Sequence, residues 1–324
     1  LSSMRRGMSG DLPSIFLGYS FKRGNPRPWE FFEVDRLMVN AYDIVSRDTS
    51  VKDVHKLLSF EGEVFCDSGG WQIVQGGNDL GPEKTVSIQG ALNAELSAVL
   101  DHGLDEKKHL EYLEYYVKYA QFPFVPVIPY GASGESIRKT SELVRSPKVV
   151  GIGKLVPVLR PPIKYGELRK AIRFVLQIKK TFPRSRIHVF GLGGLYTILV
   201  FFLLVDSVDS SSWVHDARFG KVRLLGGNGT YSTHPRKGLK HLTPKDYDCD
   251  CPICQEHSLN DLDARGIEGL KLRAVHNAWV LSEEQKKIIE MKENSVYLEY
   301  LRERVERSPQ HLKLLTFLRR QMRR

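Results

Sequence analysis

Val64-Phe65-Cys66-Asp67-Ser68-Gly69-Gly70-Trp71-Gln72 is a short apolar run that stops at a carboxylate and breaks into a glycine pair. Three apolar residues in succession suit a strand covered on both faces, and the Ser-Gly-Gly that follows ends it. Runs of this kind recur at 14–17, 37–41, 96–100, 124–128, 149–152, 187–190 and 203–208. With 64–66 they make eight candidate strands, most of them followed by a longer segment of helical spacing. In 106–120, Leu110, Leu113, Val117 and Ala120 fall on one helical face, and 136–144, 165–181 and 283–307 behave similarly.

Eight strands alternating with helices in 324 residues predict an α/β fold, a (β/α)8 TIM barrel, in preference to an open doubly wound sheet. A dinucleotide-binding Gly-x-Gly-x-x-Gly is absent from the start of the chain, and Gly191-Leu192-Gly193-Gly194 is only a partial echo of one. Without an internal repeat or a low-complexity linker, the chain reads as a single domain with one insertion. The barrel is expected over 10–248 and 278–310, with a metal-binding insertion at 249–277.

Lys and Arg exceed Asp and Glu by 48 to 38, a net charge of +10 that favours a polyanionic partner. The longest apolar run, 198–205, is far shorter than the roughly 20 residues a bilayer requires, so no membrane association is expected. The first ten residues lack the apolar stretch of a secretory leader, and a cytoplasmic location follows as the expectation.

Of the four cysteines, three crowd into Cys249-Asp250-Cys251-Pro252-Ile253-Cys254. Such spacing offers three soft thiolates to one tetrahedral metal, and zinc is the expected ion. The fourth ligand must come from downstream. His276 is the preferred candidate; His257 competes, but it lies so close to Cys254 that the chain has little room to turn back.

Polar residues stand where a barrel would place an active site. Asp67, Asp101 and Asp209 each follow an apolar run, so three carboxylates are expected on one rim. Any one of them could instead cap the helix that follows. All three together favour chemistry.

The segment Asp67-Ser68-Gly69-Gly70-Trp71-Gln72 resembles the Asp-Ser-Gly-Gly-Phe-Gln signature of the tRNA-guanine transglycosylase family. Cys249, Cys251, Cys254 and the pair His276-Asn277 resemble that family's zinc site in type and order. Weaker echoes are Met38-Val39-Asn40-Ala41-Tyr42, Gly151-Ile152-Gly153-Lys154-Leu155 and Val205-Asp206-Ser207-Val208-Asp209. The resemblance implies base exchange by double displacement, with Asp209 as nucleophile and Asp67 as general acid/base. It implies that Asp101 accepts from the N1–H and amino group of a guanine-like base, a 7-deazaguanine being the small-molecule substrate. Ser68, Gly153, Leu155 and Phe190 would line the slot, and the zinc would be structural, since four protein ligands leave no open position.

The chain also departs from the tRNA enzymes. A glutamine of that family becomes Tyr130, the second glycine of its Gly-Gly-Leu wall becomes Lys154, and only one of two arginines after the nucleophile persists, as Arg218. These changes keep the pocket and alter the grip on the polymer, which favours the DNA-guanine transglycosylases of phages and bacteria. The tRNA enzyme is the alternative, and a noncatalytic, zinc-stabilised nucleic-acid-binding subunit a further one. A DNA substrate requires base flipping, for which Trp71 and Trp213 are candidate aromatics. His215, Arg218, Lys221 and Arg223 are candidate phosphate contacts, with Arg160, 235–240 and the basic C-terminal end in support. A homodimer is compatible with the sequence.

Overall fold

The computed structural model describes residues 12–21, 25–45, 53–74, 76–101, 105–159, 165–227, 230–233, 241–242 and 248–322. Nine parallel strand segments form one sheet: β1 (Ser14–Gly18), β2 (Arg36–Asn40), β3 (Glu63–Asp67), β4 (Leu96–Ala98), β5 (Phe124–Val125), β6 (Val127–Pro129), β7 (Val149–Gly153), β8 (Arg186–Val189) and β9 (Ser207–Ser210). The first strand pairs with both β2 and the last strand, β9, and the two segments at the ends of the order, β5 and β6, are consecutive in the chain. β5 and β6 are halves of one strand separated by Pro126, whose carbonyl still accepts from Gly151 N at 2.9 Å. Counted that way the strands number eight, and the fold is a (β/α)8 barrel.

Side-chain alternation sorts each strand into two faces. Ile15 and Leu17, Leu37 and Val39, and Val64 and Cys66 join the large apolar layer under the helices, whereas Phe16, Met38 and Phe65 meet Ala98, Val125 and Val127 inside the barrel. The parity that turns Phe65 inward also turns Asp67 inward, two residues later at the C-terminal end of β3.

Several boundaries differ from the sequence expectation. The eighth strand is Ser207–Ser210 instead of 203–208, because 203–205 belongs to the turn after helix Leu195–Phe201. Asp209 therefore lies within a strand. In helix Glu106–Tyr119 the buried residues are His109, Tyr112, Leu113 and Tyr116, while Val117 is exposed. Reading only aliphatic residues missed that face, because Tyr112 and Tyr116 bury their rings while their hydroxyls reach Asp79 Oδ2 and Gln89 Oε1. The helix expected at 283–307 is instead the end of a 28-residue helix, Gly266–Glu293, followed by a second helix, Tyr297–Val305. The expected boundary at 277/278 thus falls inside one continuous helix. A last helix, Pro309–Met322, buries Leu314, Leu315, Phe317 and Leu318 against the barrel's outer layer and leaves Arg319 and Arg320 exposed. No helix among the described residues is long and apolar enough to cross a membrane.

Candidate active site and metal centre

The C-terminal ends of the strands bring the three expected carboxylates under one another's influence. Asp67 accepts a 2.6 Å hydrogen bond from Asn40 Nδ2, at the end of the neighbouring strand. Enclosure by protein, then the charges of Asp209 and Asp101, push its pKa up to about 7, although the backbone N–H groups of Gly69 and Ser68 pull the other way. Asp101 sits in the loop after β4, its pKa raised to about 6 by burial against the opposing pull of the Lys154 ammonium.

Glycines create the room for Asp101. A Cβ on Gly70 would overlap its Oδ1 and one on Gly153 its Oδ2, so the carboxylate is wedged between two backbone walls. Lys154, next to Gly153, adopts φ +63°, a left-handed conformation that glycine takes at no cost.

Asp209 is 14% exposed at its side chain and accepts from Gly191 N at 2.8 Å through Oδ1. The Nε2 of His188, a fully buried residue of β8, lies 3.4 Å from the same oxygen. None of the three aspartates is the N-cap of a following helix; side-chain caps are supplied instead by residues such as Asn40, Asp53, Asp105, Ser133, Cys251 and Ser258.

Other expected residues are divided. Phe190 is half-buried at the barrel mouth, edge-on to Phe65 at 5.6 Å and to His188 at 4.5 Å between ring centroids. Ser68 is buried with its hydroxyl on Val99 O at 3.4 Å, and Leu155 is fully buried in the layer under the helices. Tyr130 turns outward onto Phe174, 5.3 Å between rings, so only its backbone, donating to Gly153 O, touches the wall.

Among the candidate polymer contacts, His215 and Arg218 are exposed, and Arg218 reaches Asn25 Oδ1 at 2.7 Å. Lys221 is half-buried. Arg223 is not available: it is 4% exposed and bonded to Asp216 at 2.8 Å and to Gly193 O at 3.1 Å. Nor is Trp213, which is fully buried with its indole N–H on Gly18 O. Both are expected at the rim from their residue types and closeness to Asp209, but Trp213 lies in helix Ser212–Arg218, packed on Gly266–Glu293, and Arg223 in strand Lys221–Arg223 beside the same long helix. Trp71 is the second residue of helix Gly70–Val74, and Arg160 and 235–240 lie outside the described residues.

Cys249, Cys251, Cys254 and His276 converge, all four ligand atoms lying within 4.8 Å of one another. The three sulfurs stand 3.4 to 3.6 Å from His276 Nδ1. A tetrahedral ion with metal–sulfur bonds of about 2.3 Å and a metal–nitrogen bond of about 2.0 Å would separate those atoms by roughly 3.5 Å, so the donor set fits a metal. His276 is fully buried, and its Nε2 lies 2.7 Å from Arg223 O, which orients the ring as metal-bound imidazoles require. His257 instead ends helix Pro252–Glu256 and is not part of the cluster.

Residues 148–310 match the family described as queuine tRNA-ribosyltransferase. The chain belongs to that family. Its relatives include the tRNA-guanine(15) transglycosylases of Pyrococcus abyssi, 25% identical over 81% of this chain and 46% of the relative, and of Aeropyrum pernix, 25% identical over 88% and 57%. That of Methanosarcina acetivorans is 26% identical over 89% of this chain and 60% of the relative. The chain spans about half the length of these curated relatives.

Within this queuine tRNA-ribosyltransferase family member, sequence reading missed two polar partners of the carboxylates. Asn40 stands in the sequence only as part of the Met38–Tyr42 echo, yet it joins Asp67 to Gln72 Oε1, the latter at 3.2 Å. His188 was read as part of an apolar run. Its signal was the parity of Ile187-His188-Val189-Phe190, which turns a histidine and a phenylalanine to the same inner face.

Proposed function

We propose that this chain exchanges a guanine in tRNA for a 7-deazaguanine base by double displacement. The observation that carries the reading is Asp67 held near neutrality, at about 7, beside two further carboxylates at one end of a barrel. A group poised there gives and takes a proton at physiological pH.

In the first half-reaction Asp209 forms a bond to C1′ as the glycosidic bond breaks. The bonding pair leaves with the guanine, which takes a proton from Asp67. In the second, Asp67 removes the proton from the incoming base, whose nitrogen attacks C1′ and releases the Asp209 carboxylate. Negative charge around the sugar favours the oxocarbenium-like transition states of both steps. Asp101, wedged between Gly70 and Gly153, accepts from the two donors of a guanine-like edge and offers adenine no match. Phe190 stacks on the base.

Cys249, Cys251, Cys254 and His276 would hold zinc, which supplies a structural clamp with no open coordination position. The names of the relatives favour tRNA over DNA. The segment after Asp209 departs from the tRNA enzymes, and within it Trp213 is buried and Asp216 pairs with Arg223, so packing accounts for part of that departure.

The test is incorporation. Labelled guanine and 7-deazaguanine bases are incubated with the protein and, in parallel, an unmodified tRNA transcript, single-stranded DNA and duplex DNA, and each polymer is digested to nucleosides. Label in tRNA alone is the expected result. Incorporation only into DNA would restore the DNA-modifying reading, and label in none of the polymers would favour a noncatalytic binding subunit.

A further inference from the structure

His188 lies inside the barrel, 0% exposed, with Phe65 and Phe190 at 4.9 and 4.5 Å and Phe16 at 5.8 Å between ring centroids. An imidazole among phenyl rings loses its hydration, and that loss is tolerable only when both nitrogens find partners. Both do. Nδ1 lies 2.9 Å from Ser207 Oγ, itself buried, and Nε2 lies 3.4 Å from Asp209 Oδ1. A phenylalanine would fill the same space without needing partners, so packing alone does not account for a histidine here.

We propose that His188 is a positioning residue for Asp209: Ser207 donates to Nδ1, which leaves Nε2–H to hold Oδ1. This rests on the reading of Asp209 as nucleophile. Gly191 N–H donates to the same Oδ1 at 2.8 Å, so two donors fix one oxygen and the other is left to bond C1′. The arrangement serves both half-reactions. Once Oδ2 is esterified, Oδ1 is the ester carbonyl oxygen, and the same two donors stabilise the carboxylate as it leaves. A 3.4 Å contact is loose for a resting hydrogen bond, and catalytic hydrogen bonds commonly tighten when substrate binds.

The experiment compares His188→Phe, His188→Gln, Ser207→Ala and Asp209→Asn by exchange of labelled guanine into whichever polymer the wild-type chain modifies. Melting temperature, metal content and the covalent protein–polynucleotide adduct surviving denaturation are recorded for each. His188→Phe should lower kcat roughly 10- to 100-fold with KM for the base within about twofold, the pattern of losing one donor to a charged group. His188→Gln, which keeps an N–H donor, should recover most of that loss. Ser207→Ala should cost several-fold in kcat and is the arm that decides if His188→Phe does not fold. Wild-type kcat in a folded His188→Phe or in Ser207→Ala, while Asp209→Asn is inactive, would overturn the positioning role and leave the nucleophile intact. Exchange at the wild-type rate by Asp209→Asn would instead defeat the underlying reading.

Discussion

Asn40 Nδ2 donates to Asp67 Oδ2 at 2.6 Å while its own Oδ1 accepts from Tyr42 N at 2.9 Å and Asp43 N at 3.4 Å. One side chain thus starts helix Ala41–Val45 and fixes the carboxylate held near neutrality. The two tasks separate by substitution. Asn40→Asp keeps the acceptor for the two N–H groups, so stability should change by less than about 1 kcal/mol. It replaces the donor with a like charge, however, and should drive the Asp67 pKa above about 7. Asn40→Ala loses both roles and should cost about 1–2 kcal/mol. Carboxyl NMR titration and thermal melts measure the two effects; an unmoved Asp67 titration in Asn40→Asp would contradict the assignment.

Asp67 itself makes a prediction about stability. Its folded pKa lies above its unfolded value, so the fold binds that proton more tightly than the unfolded chain does. The contribution is full below about pH 4 and is lost as pH rises through about 7. Asp67→Asn should therefore leave stability unchanged near pH 4 and raise it by about 1–3 kcal/mol at pH 8, the wild-type shift being discounted for partial solvent access. Activity should be lost. Denaturant unfolding across this range reads the difference, and equal stabilisation at both pH values would show that charge is not its cause.

How far the site was legible follows from the same geometry. Periodicity located seven of the eight strands and the last only in part, because apolar runs bounded by turn residues mark strands unless, as at 203–205, the run ends a helix. The places of Asp67, Asp101 and Asp209 near strand ends were legible because each follows an apolar run, and the convergence of Cys249, Cys251, Cys254 and His276 because the Cys-x-Cys-x-x-Cys spacing suits one metal. Asn40 and His188 were not, since each gains its meaning from a neighbouring strand whose register no single sequence displays. Trp213 and Arg223 failed for the opposite reason. Their residue types suit a nucleic-acid surface, but a short helix and a long one close over them, and burial is decided by packing that local pattern does not encode.

Lys154 holds φ +63° beside a carboxylate whose pKa its ammonium lowers. Lys154→Gly should relieve about 1 kcal/mol of backbone strain, partly offset by the greater freedom of glycine in the unfolded chain. It should also raise the Asp101 pKa above about 6, because the opposing cation is gone and burial alone remains. If the ionised Asp101 reads the base, KM for the base should worsen between pH 6 and 7 relative to wild type and converge with it above pH 8. A variant with an unshifted KM profile would place Lys154 outside the pocket's electrostatics.

The metal cluster is tied to the barrel through Arg223, which accepts from His276 Nε2 by its carbonyl and holds Gly193 O and Asp216 by its guanidinium. Asn277, next in the chain, bonds Arg223 N, Lys221 O and Trp213 O. Removing the metal by chelation, or by Cys254→Ser, should lower the melting temperature by several degrees, as losing about 1–2 kcal/mol does in a chain of this size. Amide exchange should rise first around Lys221–Arg223 and Pro252–Glu256 and last in the barrel strands. Uniform acceleration throughout the chain would mean that the metal supports the whole fold.

Arg218 and Arg223 lie five positions apart and should fail in different ways. Arg223 is a buried partner of Asp216, so Arg223→Ala leaves a carboxylate half-enclosed and unpaired. It should cost about 3 kcal/mol of stability, with polymer affinity unchanged in the folded fraction. Arg218 is exposed beside Asn25, and Arg218→Ala should leave the melting temperature within about 2 °C while weakening polymer binding and lowering its salt dependence by about one charge. Binding isotherms at two or more salt concentrations, set beside thermal melts, separate the cases. A salt slope unchanged in Arg218→Ala would take that arginine off the phosphate path and direct the search to the half-buried Lys221.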